Sequence, residues 1–153
     1  MYVRSFKNED NDLVKDLIGS IMAKEYPQEQ KAYQYNDLNA IDKAYGKIRE
    51  KFLVAEEASR IIGTVGIKED SEKVALMRRL FVHNSHRGRG MGSMLVDTAL
   101  DFCKMNEYAS VHFRATSKMT AAIDLLCNKK GFVEKGRLPF EGIEIVDLEY
   151  KIR

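Results

Sequence analysis

A chain of 153 residues fits a single domain over 1–153, and its 44% hydrophobic and 31% charged residues allow a buried core beneath a polar surface. The 25 basic and 23 acidic residues leave a net charge of +2, which argues against a general polyanion binder while leaving room for a local basic patch. Cys103 and Cys127 sit in apolar helical patterns without zinc-type spacing or a dense disulfide framework, so the expected compartment is the cytoplasm; no signal-peptide core is seen, and no apolar run approaches the roughly 20 residues that span a bilayer.

Tyr2 to Phe6 reads as a short strand. Asp10 then offers a cap for a helix with Val14, Leu17, Ile18, Ile21 and Met22 on one face. Tyr26 to Tyr35 is polar, aromatic and irregular. A second helix is predicted from about Asp37, with Leu38, Ile41, Tyr45 and Ile48 on one side. Phe52–Ala55 and Ile61–Ile67 are short β-branched runs around a polar turn and read as an antiparallel pair; Val74–Val82 is a third strand, interrupted by Arg78-Arg79. Met91, Met94, Leu95, Thr98, Ala99 and Phe102 trace a helical stripe, and Ser110–Ala115 is a further strand. Thr116 or Ser117 is placed to cap a helix carrying Met119, Ala122, Ile123, Leu126 and Cys127, with Gly131 to end it. Ile143–Ile152 alternates as a last strand, and one more strand fits near Phe132. Helices and strands mix without strict alternation, which predicts a mixed sheet with helices on both faces and not a doubly wound parallel one.

The segment with chemistry in it is Phe81-Val82-His83-Asn84-Ser85-His86-Arg87-Gly88-Arg89-Gly90-Met91-Gly92-Ser93. Three glycines alternate where a helix begins, although glycine is a poor residue for a first helical turn. A helix N-terminus offers unpaired N–H groups and partial positive charge, and missing β-carbons let an anion approach them. Arg87 and Arg89 add cationic groups. No Gly-Lys-Ser/Thr follows, which excludes a P-loop; Ser93 stands where a dinucleotide fingerprint needs its third glycine, and Ser110 where it expects an acid.

Arg87-x-x-Gly90-x-Gly92, after a strand ending in Phe81-Val82, resembles the Gln/Arg-x-x-Gly-x-Gly/Ala signature of the GNAT superfamily of N-acetyltransferases. Ala122-Ile123 through Lys130-Gly131-Phe132 is similar to that family's later amphipathic helix closed by Gly-Phe, and the element order matches over nearly the whole chain. The resemblance implies an α/β fold of the α+β kind: a mixed, mostly antiparallel central sheet with helices on both faces and a splayed strand pair. It implies acetyl-CoA as co-substrate and no metal. The coenzyme would be held by Phe81, Val82, Arg87, Gly88, Arg89, Gly90, Met91, Gly92 and Ser93, with pyrophosphate on the loop amides and pantetheine paired along Phe81-Val82. The activity implied is transfer of acetyl to a primary amine of a small molecule, amino acid derivative or peptide, by direct attack in a ternary complex. Nucleic acid and membrane are not expected partners, and a homodimer is the assembly many relatives adopt.

The reaction needs an amine freed of a proton held with a pKa near 10.4, a donor for the oxyanion and help for the departing thiolate. A backbone N–H near Val82 suits the oxyanion. Leu76-Met77-Arg78-Arg79-Leu80 carries no Glu or His where many relatives have one, and Cys127 stands where many have a tyrosine. Cys127 is therefore the candidate catalytic position, read as a buried neutral thiol and not a nucleophile. Arg78 and Arg79 are predicted on opposite faces, one of them in the acceptor cleft facing a carboxylate-bearing substrate. His112 reads as structural, and His83 and His86 as flanking the loop. Tyr33, Tyr35 and Tyr45 fall in the region that relatives use for the acceptor. Two other functions are weighed: a non-catalytic acyl-CoA-binding or sensing domain of the same fold, and a nucleic-acid module using His83 to Arg89. The charge balance and the lack of an aromatic platform count against the second.

Overall fold

The computed structural model describes residues 1–34 and 36–152, with Lys31 described by its backbone alone. Seven strands form one sheet: β1 (Tyr2–Ser5), β2 (Lys51–Glu57), β3 (Arg60–Glu69), β4 (Val74–Val82), β5 (Ser110–Thr116), β6 (Val133–Phe140) and β7 (Ile143–Lys151), in the order β1-β2-β3-β4-β5-β7-β6. Only β4 and β5 run parallel; every other pair is antiparallel. The helices are α1 (Asn11–Glu25), α2 (Ile41–Ala44), α3 (Met91–Met105) and α4 (Thr120–Asp124), the last continued by a π turn over Leu125–Lys129. The mixed, mostly antiparallel sheet with helices on both faces is what the sequence pattern predicts, including the extra strand after Phe132.

Two glycines of β3 set how closely the layers approach. A β-carbon on Gly63 would meet Leu95 of α3 at 2.9 Å, and one on Gly66 would meet Tyr45 at 2.7 Å. These positions alternate along the strand, so α3 seats on one face and the Tyr45–Phe52 cluster on the other. Met91, Leu95, Val96, Ala99, Leu100 and Cys103 turn inward from α3, while Met94 is 37% exposed.

Local predictions differ from the structure at three places. Asp10 does not cap α1; its carboxylate accepts the Lys7 N–H at 2.8 Å and pairs with Arg4, a tighter use of the same oxygens. The second helix is one turn long and breaks before Gly46, so Ile48, expected on its buried side, is 93% exposed. Neither Thr116 nor Ser117 caps α4, whose N-cap position is Met119. Gly131 does close that segment, with a φ of +81°, and Phe132 behind it is buried against Tyr150.

Candidate active site

The central feature is a gap between parallel strands. β4 and β5 pair from Val74↔Ser110 to Met77↔Phe113 and no further. Beyond that point β4 carries a bulge: Gly66 faces Arg78 and Thr64 faces Phe81, so Arg79 and Leu80 share one partner position. Arg79 has a φ of +56°, a costly conformation for a residue with a β-carbon. It is held from both sides. Thr64 Oγ1 donates to its carbonyl at 2.7 Å, and its guanidinium, 5% exposed, donates to both Asp37 oxygens at 2.6 and 3.0 Å and to the Gln34 carbonyl.

The diverging end of β5 is tied to the same segment. The Thr116 N–H donates to the Tyr33 hydroxyl at 3.0 Å, and that hydroxyl donates to Met119 Sδ at 3.2 Å. Tyr33 and Asp37 thus hold the two arms of the gap, Tyr33 through β5 and Asp37 through β4. Burial pushes the Tyr33 phenol up to about 12. At Asp37 burial works to raise the carboxyl, but the hydrogen bonds and charge of Arg79 outweigh it and keep it below the usual carboxylate range. Tyr45 donates to the same carboxylate at 2.7 Å. Tyr35, grouped with Tyr33 and Tyr45 in the sequence, lies outside the described residues.

A cavity of about 500 Å³ opens where the strands part. Phe81, Val82, Arg87, Gly88, Gly90, Met91, Gly92 and Ser93 line it, together with Leu80 and His86. Gly88 and Gly90 have φ of +76° and +82°, and a β-carbon at either would point into open space. Both are therefore required by backbone conformation and not by crowding. Gly90 precedes α3 without any side-chain cap, and the first helical bond runs from the Met94 N–H to the Gly90 carbonyl at 3.0 Å. The N–H groups of Met91, Gly92 and Ser93 lie ahead of that bond, at a cavity wall. The chain reversal at β4 supplies a second backbone feature. His83 N–H donates to Ile62 on β3, so by strand alternation the polar groups of Val82 face the gap. Arg87 Nε donates to the Val82 carbonyl at 2.9 Å from that side.

The arginines of the loop are not free charges. Arg87 forms a two-pronged pair with Glu25 at 2.5 and 2.8 Å, and Arg89 one with Glu57 at 2.8 and 3.2 Å. Arg89 lies outside the cavity lining, as does Cys127. Cys127 lies in the π turn and packs, partly buried, against the core beside Ala122 and Ile123. Burial raises the Cys127 thiol, and Glu134 and Asp124 add to the effect. His112 sits between Asp147 and Glu149 at 3.0 and 3.1 Å, a structural placement. Among the described residues no cluster of His, Cys, Asp and Glu is arranged to hold a metal.

Sequence reasoning missed the far wall. Ile21 of α1 and Tyr26 just after it, with Met119, Ala121, Ala122, Leu125 and Lys129 from the α4 segment, complete the cavity. Tyr26 falls in the polar, aromatic stretch that carries no periodic signal. Ala121, Leu125 and Lys129 are spaced four apart, on a face beside the apolar stripe of that segment.

Residues 49–134 match the family model described as the acetyltransferase (GNAT) domain. N-acetyltransferase 8B of Rattus norvegicus is 30% identical over 128 residues, covering 76% of this chain and 57% of that protein. N-acetyltransferase 8B of Homo sapiens is 32% identical over 119 residues, covering 73% and 52%. The chain spans about half the length of the curated relatives it matches. Among solved structures, an acetyltransferase from Streptococcus agalactiae 2603 superposes with a TM-score of 0.87 at 17% identity, covering 99% of this chain and 98% of that one. yncA from Salmonella typhimurium, determined with its cofactor acetyl-CoA, gives a TM-score of 0.82 at 17% identity over 99% and 93%. These two likenesses are likenesses of fold.

Proposed function

The chain belongs to the GNAT family of acetyltransferases, and from that premise we propose that it transfers an acetyl group from acetyl-CoA to a primary amine. The acceptor would be a small molecule, amino acid derivative or peptide, and attack would be direct, within a ternary complex. The observation that carries the reading is one cavity lined both by the glycine-started helix and by the unpaired edge of β4. A coenzyme with a pyrophosphate and an amide-bearing arm suits that pairing. Phosphate oxygens accept from the first-turn N–H groups of α3, and the arm's amides pair with the strand edge at Val82.

The protein's groups then have defined tasks. Gly88 and Gly90 keep β-carbons away from the loop amides. The Val82 N–H, aimed at the gap, is the donor for the tetrahedral oxyanion. The lining carries no carboxylate among the described residues, so the amine releases its proton to water and then attacks. We assign no step to Cys127, which lies outside the lining. The absent carboxylate also favours a second reading, a non-catalytic acyl-CoA-binding or sensing domain. Residues 1–153 would form one such domain. The cytoplasm is its proposed compartment, on the ground that Cys103 and Cys127 are free thiols. No helix among the described residues is long and apolar enough to cross a membrane.

Calorimetry with acetyl-CoA, followed by thiol release over a panel of amines, separates these readings. Binding with amine-dependent thiol release is the expected outcome. Binding without release from any amine favours the sensing domain, and absence of binding removes both.

A further inference from the structure

Arg78 stands at the last step before β4 and β5 part, directly after the final pair Met77↔Phe113. By strand alternation its side chain leaves the sheet on the face of Leu76, while Ala75 and Met77 on the other face are buried. Register carries Arg78's face across to His112 and Arg114 of β5 and to Asp147 and Glu149 of β7. None of these four is buried, whereas Val111, Phe113, Ala115, Val146 and Leu148 on the opposite face all are. The gap therefore opens onto a solvent-accessible sheet face, away from α3.

The carboxylates around Arg78 are already engaged. Asp147 faces His112 at 3.0 Å and Arg114 at 3.5 Å; Glu149 faces His112 at 3.1 Å and Lys135 at 3.8 Å. Asp37 is taken by Arg79 and Tyr45. Arg78 lies near enough to Asp37 and Tyr45 for its charge to act on both. Yet Arg78, half-buried as a residue, makes no hydrogen bond or ion pair with any described residue. Its guanidinium offers a fork of donors that no described residue takes. A planar carboxylate satisfies such a fork with two charge-assisted bonds.

We propose that Arg78 is the specificity residue for the acceptor, and that the acceptor is an amino acid-like amine carrying a carboxylate. The proposal rests on the acetyl-transfer reading above. The carboxylate pairs with Arg78 while the amine reaches the unpaired edge of β4, where the bulge brings Phe81 within two β3 positions of Arg78, about 7 Å. That spacing suits a carboxylate and an amine of one small molecule. In the step itself, the amine nitrogen bonds to the thioester carbonyl carbon and the carbon–sulfur bond breaks. Sulfur departs with the bonding electrons. Of the two protons the ammonium sheds, one goes to solvent and the other ends on the coenzyme thiol.

The test compares amino acids with their carboxamides, matched in side chain, in thiol release from acetyl-CoA by the wild type, Arg78→Met and Arg78→Lys. A charge-assisted pair predicts a preference for the carboxylate of about 10-fold or more in kcat/KM, carried by KM. Arg78→Met removes that preference, Arg78→Lys restores part of it, and KM for acetyl-CoA stays unchanged in both. Calorimetry of N-acetyl amino acids and their amides on the CoA-saturated protein reads the same preference without turnover. Equal handling of the two forms by the wild type in both measurements, or a preference that survives Arg78→Met, overturns the proposal. Failure of acetyl-CoA to bind the wild type, measured before any acceptor is added, takes down the transfer reading and this one together.

Discussion

The proposed coenzyme side of the gap is made of backbone: the first-turn N–H groups of α3, the strand edge at Val82, and two glycines with φ of +76° and +82°. The proposed acceptor side is made of side chains from distant parts of the chain: Tyr33 and Asp37 from beyond α1, Arg78 and Arg79 from β4. A backbone site depends on local conformation, so it can be specified by a short run of residues. A side-chain site depends on which segments the fold brings together, and each of its members reads as unremarkable alone. The two sides should therefore fail differently when perturbed: one through the conformation of a single residue, the other through the loss of a partner.

The largest effect is expected on the acceptor side. Arg79→Met leaves the Asp37 carboxylate buried and without its cation, and removal of one member of a buried pair costs about 3–5 kcal/mol. Denaturant unfolding should show that loss. The double variant Arg79→Met/Asp37→Leu should recover much of it, because no charge is then stranded. The pair also predicts an acid limb. Asp37 has a lowered native pKa, so its contribution is present above the unfolded value of about 3.9 and fades as pH falls through the lower native one. Asp37→Asn should flatten stability against pH in that window and leave the neutral range parallel to wild type. A curve unchanged in the acid range would mean that Asp37 is not held by Arg79 in solution.

That coupling could not be read from the sequence. Arg78-Arg79 stood out as an interruption, but a regular strand was assumed, and regular alternation places the two on opposite faces. The bulge is a tertiary event, in which two residues share one partner position on β3 and Thr64 supplies the hydroxyl that fixes the odd carbonyl. Pro27–Ala32 and Asn36–Asn39 form 3₁₀ turns with no sustained period, so nothing in the sequence marks Tyr33 and Asp37 as the residues that hold the strand ends. The glycine loop was legible for the opposite reason: glycine at a helix start is locally unfavourable and calls for an explanation. The partners of its arginines were not legible, since their pairing with Glu25 and Glu57 joins positions 62 and 32 residues apart in sequence.

On the coenzyme side, Gly90→Val should weaken acetyl-CoA binding by about 100-fold, or about 2.7 kcal/mol. A β-carbon there meets no protein atom within 4 Å, yet a β-branched residue is strained at this positive φ, and the helix start and loop amides shift with it. Gly92→Ala provides the contrast. Its β-carbon would meet the end of the Leu125 side chain at 3.3 Å, a contact that a small rotation relieves, and Val82 Cγ2 at an ordinary 3.8 Å. A smaller loss there, on proteins with the same unfolding midpoint, would locate the effect in conformation. Equal losses at the two positions would point to crowding of the cavity instead.

The smallest effect is expected at Cys127, which belongs to neither side. It lies outside the cavity lining, packed against the core, and its thiol is raised by burial, with Glu134 and Asp124 adding to the effect. A raised thiol pKa means that the nucleophilic thiolate appears only above the ordinary value of about 8.5, so alkylation at pH 7 should be slow. Cys103, fully buried and pushed up to about 12, should react only as the protein unfolds. Cys127→Ala and Cys127→Ser should then keep thiol release within about twofold of wild type, a difference of roughly 0.4 kcal/mol in the barrier. Intact-mass analysis after incubation with acetyl-CoA should show no acetyl group on the protein. An adduct that forms on Cys127 quickly and is discharged by an amine would require the residue to reach the thioester. The cavity wall would then have to rearrange to admit position 127.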